Sequence, residues 1–319
     1  LLALAVALAA CTTASGPVTD HFDGTRFHNP GFVKESSVAG YLRLRMTTAQ
    51  PEWPAHVPVA ATPQLAARIE GDEIHVTMIG HATLLLQTRG MNVLTDPIWS
   101  ERASPLSFAG PKRITPPAVA LEKLPPIDLV LISHNHWDHL DLPTLRALDA
   151  AFRPRVIVPL GNRALVAEAM PGSLVSEHDW GDVVPAGALR VHVLPMLHGS
   201  GRTPFDQQRT LWAAYLLDSG ATRAYFVGDA GYGRGVHFKA AAAKLGPIDI
   251  ALLPIGAYEP AWFMADSHMR PTEAVQALLD SGARLGVAHH FDTFQLGFEA
   301  YGAAAVEMAF TNGLKFDGI

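Results

Sequence analysis

Cysteine is almost absent. The 319 residues contain one, Cys11, which excludes an internal disulfide and any cysteine-rich zinc site, so metal ligands must come from other residue types. Runs of one charge are also missing. The 24 basic and 30 acidic residues give a net charge of −6 without a Lys/Arg-rich stretch, so the footprint of a nucleic-acid binder is lacking and no nucleic-acid partner is expected. The apolar stretch Leu1–Ala10 is ten residues long, short of the ~20 that a membrane-spanning helix needs. What is present, 49% hydrophobic and 17% charged residues, is the composition of a soluble globular enzyme with one large domain or two small ones.

The position of Cys11 suggests its use. Leu1–Ala10 ends in Leu8-Ala9-Ala10 and runs straight into Cys11, like the apolar region and small-residue cleavage site of a signal peptide. Leu-Ala-Ala-Cys resembles a bacterial lipoprotein box, which implies cleavage before Cys11 and lipid attachment to its sulfur. The expected location is then the cell envelope, at the periplasmic face of the outer membrane. The start, without Met or a basic segment, reads as clipped; the other reading is a disordered apolar terminus. Residues 1–11 are thus expected to be a signal remnant, 12–69 a tether and N-terminal arm without sustained apolar period, and 70–319 the catalytic domain. The carboxyl end has one helical run, Glu299 to Phe310, and stops abruptly at Ile319, as if abridged.

Runs bounded by turn residues predict strands at Ile74–Met78, Thr83–Gln87, Ile127–Ser133, Arg155–Pro159, Leu189–Pro195, Trp212–Asp218, Ala224–Val227, Ile248–Ile255 and Leu285–Ala288. Helical patterns fall at Gly235–Leu245 and Pro271–Ser281. Continuously apolar strands suit sheets covered on both faces, so the fold class is α/β, in layers. His134, His198, Asp229 and His290 each follow a strand, the way a scaffold aims side chains at one point.

Ser133-His134-Asn135-His136-Trp137-Asp138-His139 packs four potential ligands into six residues. A spacing of two cannot place His134 and His136 on one helical face, but an extended loop can. The string is therefore a loop chelate, followed by a helix that Asp141 caps and Pro143 opens. Imidazoles and carboxylates are what zinc accepts when no thiolate is offered.

The HxHxDH string resembles the metallo-β-lactamase superfamily. Gly80-His81-Ala82-Thr83, Leu94-Thr95-Asp96-Pro97, Arg102-Ala103-Ser104-Pro105, Gly110-Pro111-Lys112-Arg113, Gly228-Asp229-Ala230-Gly231-Tyr232 and Pro254-Ile255-Gly256-Ala257-Tyr258-Glu259-Pro260 with Trp262-Phe263-Met264 resemble its N-acylphosphatidylethanolamine-hydrolysing phospholipase D branch. The resemblance implies a four-layer αββα sandwich and two Zn2+ ions. His134, His136 and His198 would hold one, and Asp138, His139 and His290 the other, with Asp229 bridging. His290 competes with adjacent His289, and Phe291-Asp292 replaces the family's Trp-Gly; alignment on Thr293-Phe294 selects His290.

Asp96 is a candidate to orient a ligating imidazole, or a turn residue before Pro97. His81 supports the site or is a core histidine. His268 contacts a substrate phosphate as a catalytic residue or marks a helix entry. Lys112 and Arg113 bind a phosphate headgroup or are solvated surface; Tyr258 and Trp262 are candidate substrate contacts. The leading expectation is a lipid-anchored phosphodiesterase acting on a phospholipid or other anionic diester, with Asp138 managing the proton of the attacking hydroxide. A lactonase or amide hydrolase on the same centre is the alternative. A diiron oxidoreductase, whose motif has Glu at the position of His136, and a non-catalytic lipid-binding lipoprotein are the others.

Overall fold

The computed structural model describes residue 14 and residues 16–33, 38–59 and 61–311. Cys11 and the segment before it lie outside the described residues, as does the carboxyl end from residue 312.

Two six-stranded sheets make the framework. The first contains β1 (His75–Gly80), β2 (Thr83–Thr88), β3 (Met91–Thr95), β4 (Leu129–Leu131), β5 (Arg155–Pro159) and β6 (Val175–His178), in that spatial order. Its first three strands are antiparallel and the remainder parallel. The second runs β12 (Leu285–His289), β11 (Ile250–Pro254), β10 (Arg223–Phe226), β9 (Ala214–Asp218), β8 (Leu189–Leu194) and β7 (Val183–Ala186).

The period-two alternation of a strand explains the layering. Leu84, Leu86, Val93, Leu129, Leu131 and Ile157 face the space between the sheets, where they meet Val191, Val193, Tyr215, Leu217, Phe226 and Leu252. Their neighbours Leu85, Leu94, Val130, Val156 and Val158 face outward onto Leu145, Leu148 and Val166 of α2 (Leu142–Phe152) and α3 (Arg163–Ala169). Ala214, Leu216, Ala251 and Leu253 likewise meet α4 (Val236–Leu245), α6 (Pro271–Ser281) and α7 (Ala303–Thr311). Each buried Leu or Ile contributes roughly 1.5–3 kcal/mol, and burial on both faces is why these strands lack polar alternation. The result is the expected four-layer αββα sandwich.

The predicted strands and helices are present, with bounds that differ at most by a few residues; among the strands the largest change is at Ile127–Ser133, of which only Leu129–Leu131 is strand. The stretch expected as tether contains α1 (Val38–Thr47). It shows no apolar period because, among its described side chains, only Leu44 is buried. Residues 16–33 lie against the second sheet: Phe22 and Phe27 pair across a short bridge and are buried in its outer core. The unpredicted strands β6 and β7 are the edges of their sheets, one mixed in polarity and the other carrying Pro185, as edge strands do. Asp141 occupies the expected cap position of α2, but its carboxylate accepts Ser100 Oγ (2.8 Å) and Thr144 Oγ1 (2.5 Å) rather than a helix N–H. Among the described residues no helix is long and apolar enough to cross a membrane.

Candidate metal centre

Strand ends from both sheets supply the side chains. The loop after β4 carries His134, His136, Asp138 and His139; His198 follows β8, Asp229 follows β10, and His290 follows β12. From the first sheet, Asp96 follows β3 and His81 sits in the β1–β2 turn. Two glycines permit the close approach. A Cβ on Gly228 would land on the Ser133 side chain, and one on Gly256 on the His290 carbonyl.

Three imidazoles are fixed from behind. His139 Nδ1–H donates to Asp96 Oδ2 (2.7 Å) and His198 Nδ1–H to the Ser267 carbonyl (2.9 Å). Ser133 donates its hydroxyl to Asp96 (2.6 Å) and so receives His134 Nδ1–H (2.9 Å). With a proton on Nδ1, each ring aims its Nε2 inward and offers a lone pair there whenever it is neutral, the arrangement in which outer partners orient metal ligands. His134 Nε2 lies 2.9 Å and His198 Nε2 3.3 Å from His136 Nδ1. Lone pairs this close repel unless a proton or a cation lies among them.

A second group gathers on Asp138. Its Oδ2 is 2.9 Å from His81 Nε2, 3.1 Å from His139 Nε2 and 3.2 Å from His290 Nε2. Asp229 spans both groups: Oδ2 is 3.1 Å from His139, 3.9 Å from His198 and 4.0 Å from His134, and Oδ1 is 3.0 Å from His290. Both sets qualify by distance as groups able to hold a metal ion, and His81 belongs to the second.

The protonation states suit this use. Burial pushes His134 and His198 well below the usual histidine range, and neighbouring imidazoles add to it. Burial opposes charge on Asp138 and Asp229, but His139 with its neighbours holds both well below the usual carboxylate range. Against burial, Asp229 and Asp138 hold His139 well above its ordinary value, and they raise His290 to about 9. Those two protons balance the buried carboxylates, and a divalent cation balances them equally well. The donor set fits a metal.

Other expectations fare differently. His289 turns away, Nε2–H donating to the Val227 carbonyl (2.9 Å), while His290 enters the cluster. His268 joins it, Nδ1 lying 3.9 Å from Asp229 Oδ2. Arg113 is corrected as a phosphate ligand: its guanidinium donates to the Ser100 (3.2 Å) and Ile98 (2.9 Å) carbonyls and lies over Phe294. Tyr258 is corrected as well, being buried in the outer core of the second sheet. Lys112 is exposed and pairs with Glu101 (3.1 Å). Trp262, on α5 (Ala261–Met264), is exposed with Arg43 over its ring. Two supporting residues were missed. Ser133 was readable from its place before the HxHxDH string; Asn29, which donates to the His198 carbonyl (2.8 Å), was not, since 169 residues separate them.

A family model described as a beta-lactamase superfamily domain matches residues 91–291. An uncharacterized protein of Mycobacterium tuberculosis is 41% identical over 268 residues, covering 82% of this chain and 71% of that protein. N-acyl-phosphatidylethanolamine-hydrolyzing phospholipase D 1 of Caenorhabditis elegans is 37% identical over 251 residues, covering 73% and 69%. The metallo hydrolase Igni18 of Ignicoccus hospitalis shares the fold, with TM-score 0.57 at 18% identity, covering 77% of this chain and 94% of that one. Fold and site together define a metal-dependent hydrolase. The chain belongs to the metallo-β-lactamase superfamily, in the branch of N-acylphosphatidylethanolamine-hydrolysing phospholipase D-like proteins.

Proposed function

We propose that the chain is a binuclear zinc hydrolase that cleaves a phosphodiester in the manner of a phospholipase D, with an N-acylphosphatidylethanolamine-like lipid as substrate. The observation that carries the reading is Asp229, whose two oxygens reach both ligand groups; kinship with the worm enzyme supports the substrate class. Two zinc ions held there would supply Lewis acidity and draw the pKa of water toward neutrality. The chain's own residues do the rest. Asp138, held ionised by His139 despite its burial, is positioned to take a proton from the attacking water. Burial pushes His268 down to about 4, so it works as a neutral imidazole that hydrogen-bonds a phosphoryl oxygen.

His268→Ala is expected to lower kcat/KM about 10²-fold. The wild-type profile should show no His268 break near pH 6.5: its neutral form persists until the pH falls below about 5, and added cations push the same way. A break at 6.5 that vanishes in the variant would count against this role. To test the reaction itself, bound metal is quantified and turnover of a phosphodiester, an N-acylphosphatidylethanolamine and an acyl-lactone is compared. Two zinc equivalents with diester turnover are expected. Lactone turnover alone, iron with redox activity, or zinc without any turnover would each overturn the reading.

Attachment to the periplasmic face of the outer membrane through lipidated Cys11 is part of the same proposal and rests on Leu8-Ala9-Ala10-Cys11. Cys11→Ser should shift the protein from the membrane to the soluble fraction on cell fractionation; unchanged membrane recovery would count against the anchor.

A further inference from the structure

The loop between β4 and α2 carries four of the candidate ligands on irregular backbone, so its carbonyls need partners from elsewhere. One side chain supplies two of them. Arg202 Nη1 donates to the Asn135 carbonyl (2.9 Å) and the Leu140 carbonyl (2.8 Å), which bracket His136, Asp138 and His139. The guanidinium lies over the Trp137 ring, 3.5 Å from its centroid. The contact is reciprocal: Trp137 Nε1–H donates to the Arg202 carbonyl (2.9 Å), and Gly201 N–H donates to Asn135 Oδ1 (2.7 Å). Arg202 stands four residues after His198, so these bonds tie the chelating loop of the first sheet to the His198 loop of the second.

We infer that Arg202 is a positioning residue for the metal centre, holding His134 and His136 at the right distance from His198 before any metal arrives. A planar guanidinium is well matched to this role, because one Nη1 satisfies two carbonyls while the delocalised plane lies against an indole, a stacking that an ammonium, having no plane, cannot reproduce. An unbraced loop would order itself only on binding, and that cost would appear as weaker affinity and faster metal loss.

The inference rests on the metal-binding reading above, and the experiment separates the two. Zinc affinity and dissociation rate are measured by competition with a chromophoric chelator for the wild type, Arg202→Met, Arg202→Lys and Trp137→Phe. Arg202→Met is expected to weaken the tightest zinc 10- to 100-fold, the range typical of residues that support ligands, with a nearly unchanged far-UV spectrum and with turnover restored by excess zinc. Arg202→Lys should recover little of the loss. Trp137→Phe keeps an aromatic face but removes one donor, and should weaken zinc about threefold. Wild-type affinity and dissociation rate in Arg202→Met would overturn the inference. If that variant does not fold, wild-type zinc affinity in both Arg202→Lys and Trp137→Phe would overturn it. A wild-type protein that binds no zinc would instead overturn the metal-centre reading.

Discussion

Asp229→Ala is expected to lower kcat/KM for a phosphodiester by at least about 10³-fold, or about 4 kcal/mol of transition-state stabilisation, and to reduce bound metal from two equivalents to one or fewer. The reason is geometric. Among the described residues Asp229 is the carboxylate that reaches toward His134 and His198 on one side and His139 and His290 on the other, so its removal takes a ligand from both groups and lets their mutual spacing relax. The sandwich should survive, because the residue lies at a strand end outside the layers that carry the apolar burial. Metal analysis with turnover and a far-UV spectrum checks this; a variant that keeps two metals and wild-type turnover would remove Asp229 from the centre.

The second large effect is expected at Asp96, which touches no substrate. It is fully buried and accepts Ser133 N–H (2.7 Å), Ser133 Oγ–H (2.6 Å) and His139 Nδ1–H (2.7 Å). Burial raises its proton affinity, yet all three contacts are donors, so the ionised carboxylate is the form the site accommodates. Asp96→Ala leaves those donors buried without partners, which should cost about 3–5 kcal/mol of stability, and it unpins both His139 and, through Ser133, His134. Metal affinity should fall 10- to 100-fold. Asp96→Asn should rescue little, since its NH2 would face at least one donor. Denaturant unfolding with and without zinc measures both effects; wild-type stability and zinc affinity in Asp96→Asn would show the charge to be dispensable.

What could be read from the sequence follows from how local each signal is. The ligands at 134–139 are dense enough to identify themselves, and strands buried on both faces announce the layers. His290 was chosen over His289 by alignment on Thr293-Phe294, and the structure shows why the two differ: His289 ends β12 and bonds a backbone carbonyl, whereas His290, just past the strand, turns to the ligand cluster. The failures concern contacts made across long separations. Lys112-Arg113 reads as a headgroup-binding or solvated surface pair, but the second member is drawn in beside Phe294, where it donates to the Ser100 and Ile98 carbonyls. Tyr258 follows a strand as a ligand would, yet points into the core. Helix α1 has no period to read because so little of it is covered.

The convergence of strand ends carries a mechanical meaning. His134, His136, Asp138 and His139 hang from one sheet, and His198, Asp229 and His290 from the other. A cation shared among them is a bolt driven across the sandwich at one edge. The stiffness of that edge and the occupancy of the centre then rise together: at a thousandfold excess over its dissociation constant a bound metal adds about 4 kcal/mol to the folded state, on top of the hydrogen bonds that Arg202 and Trp137 already make across it.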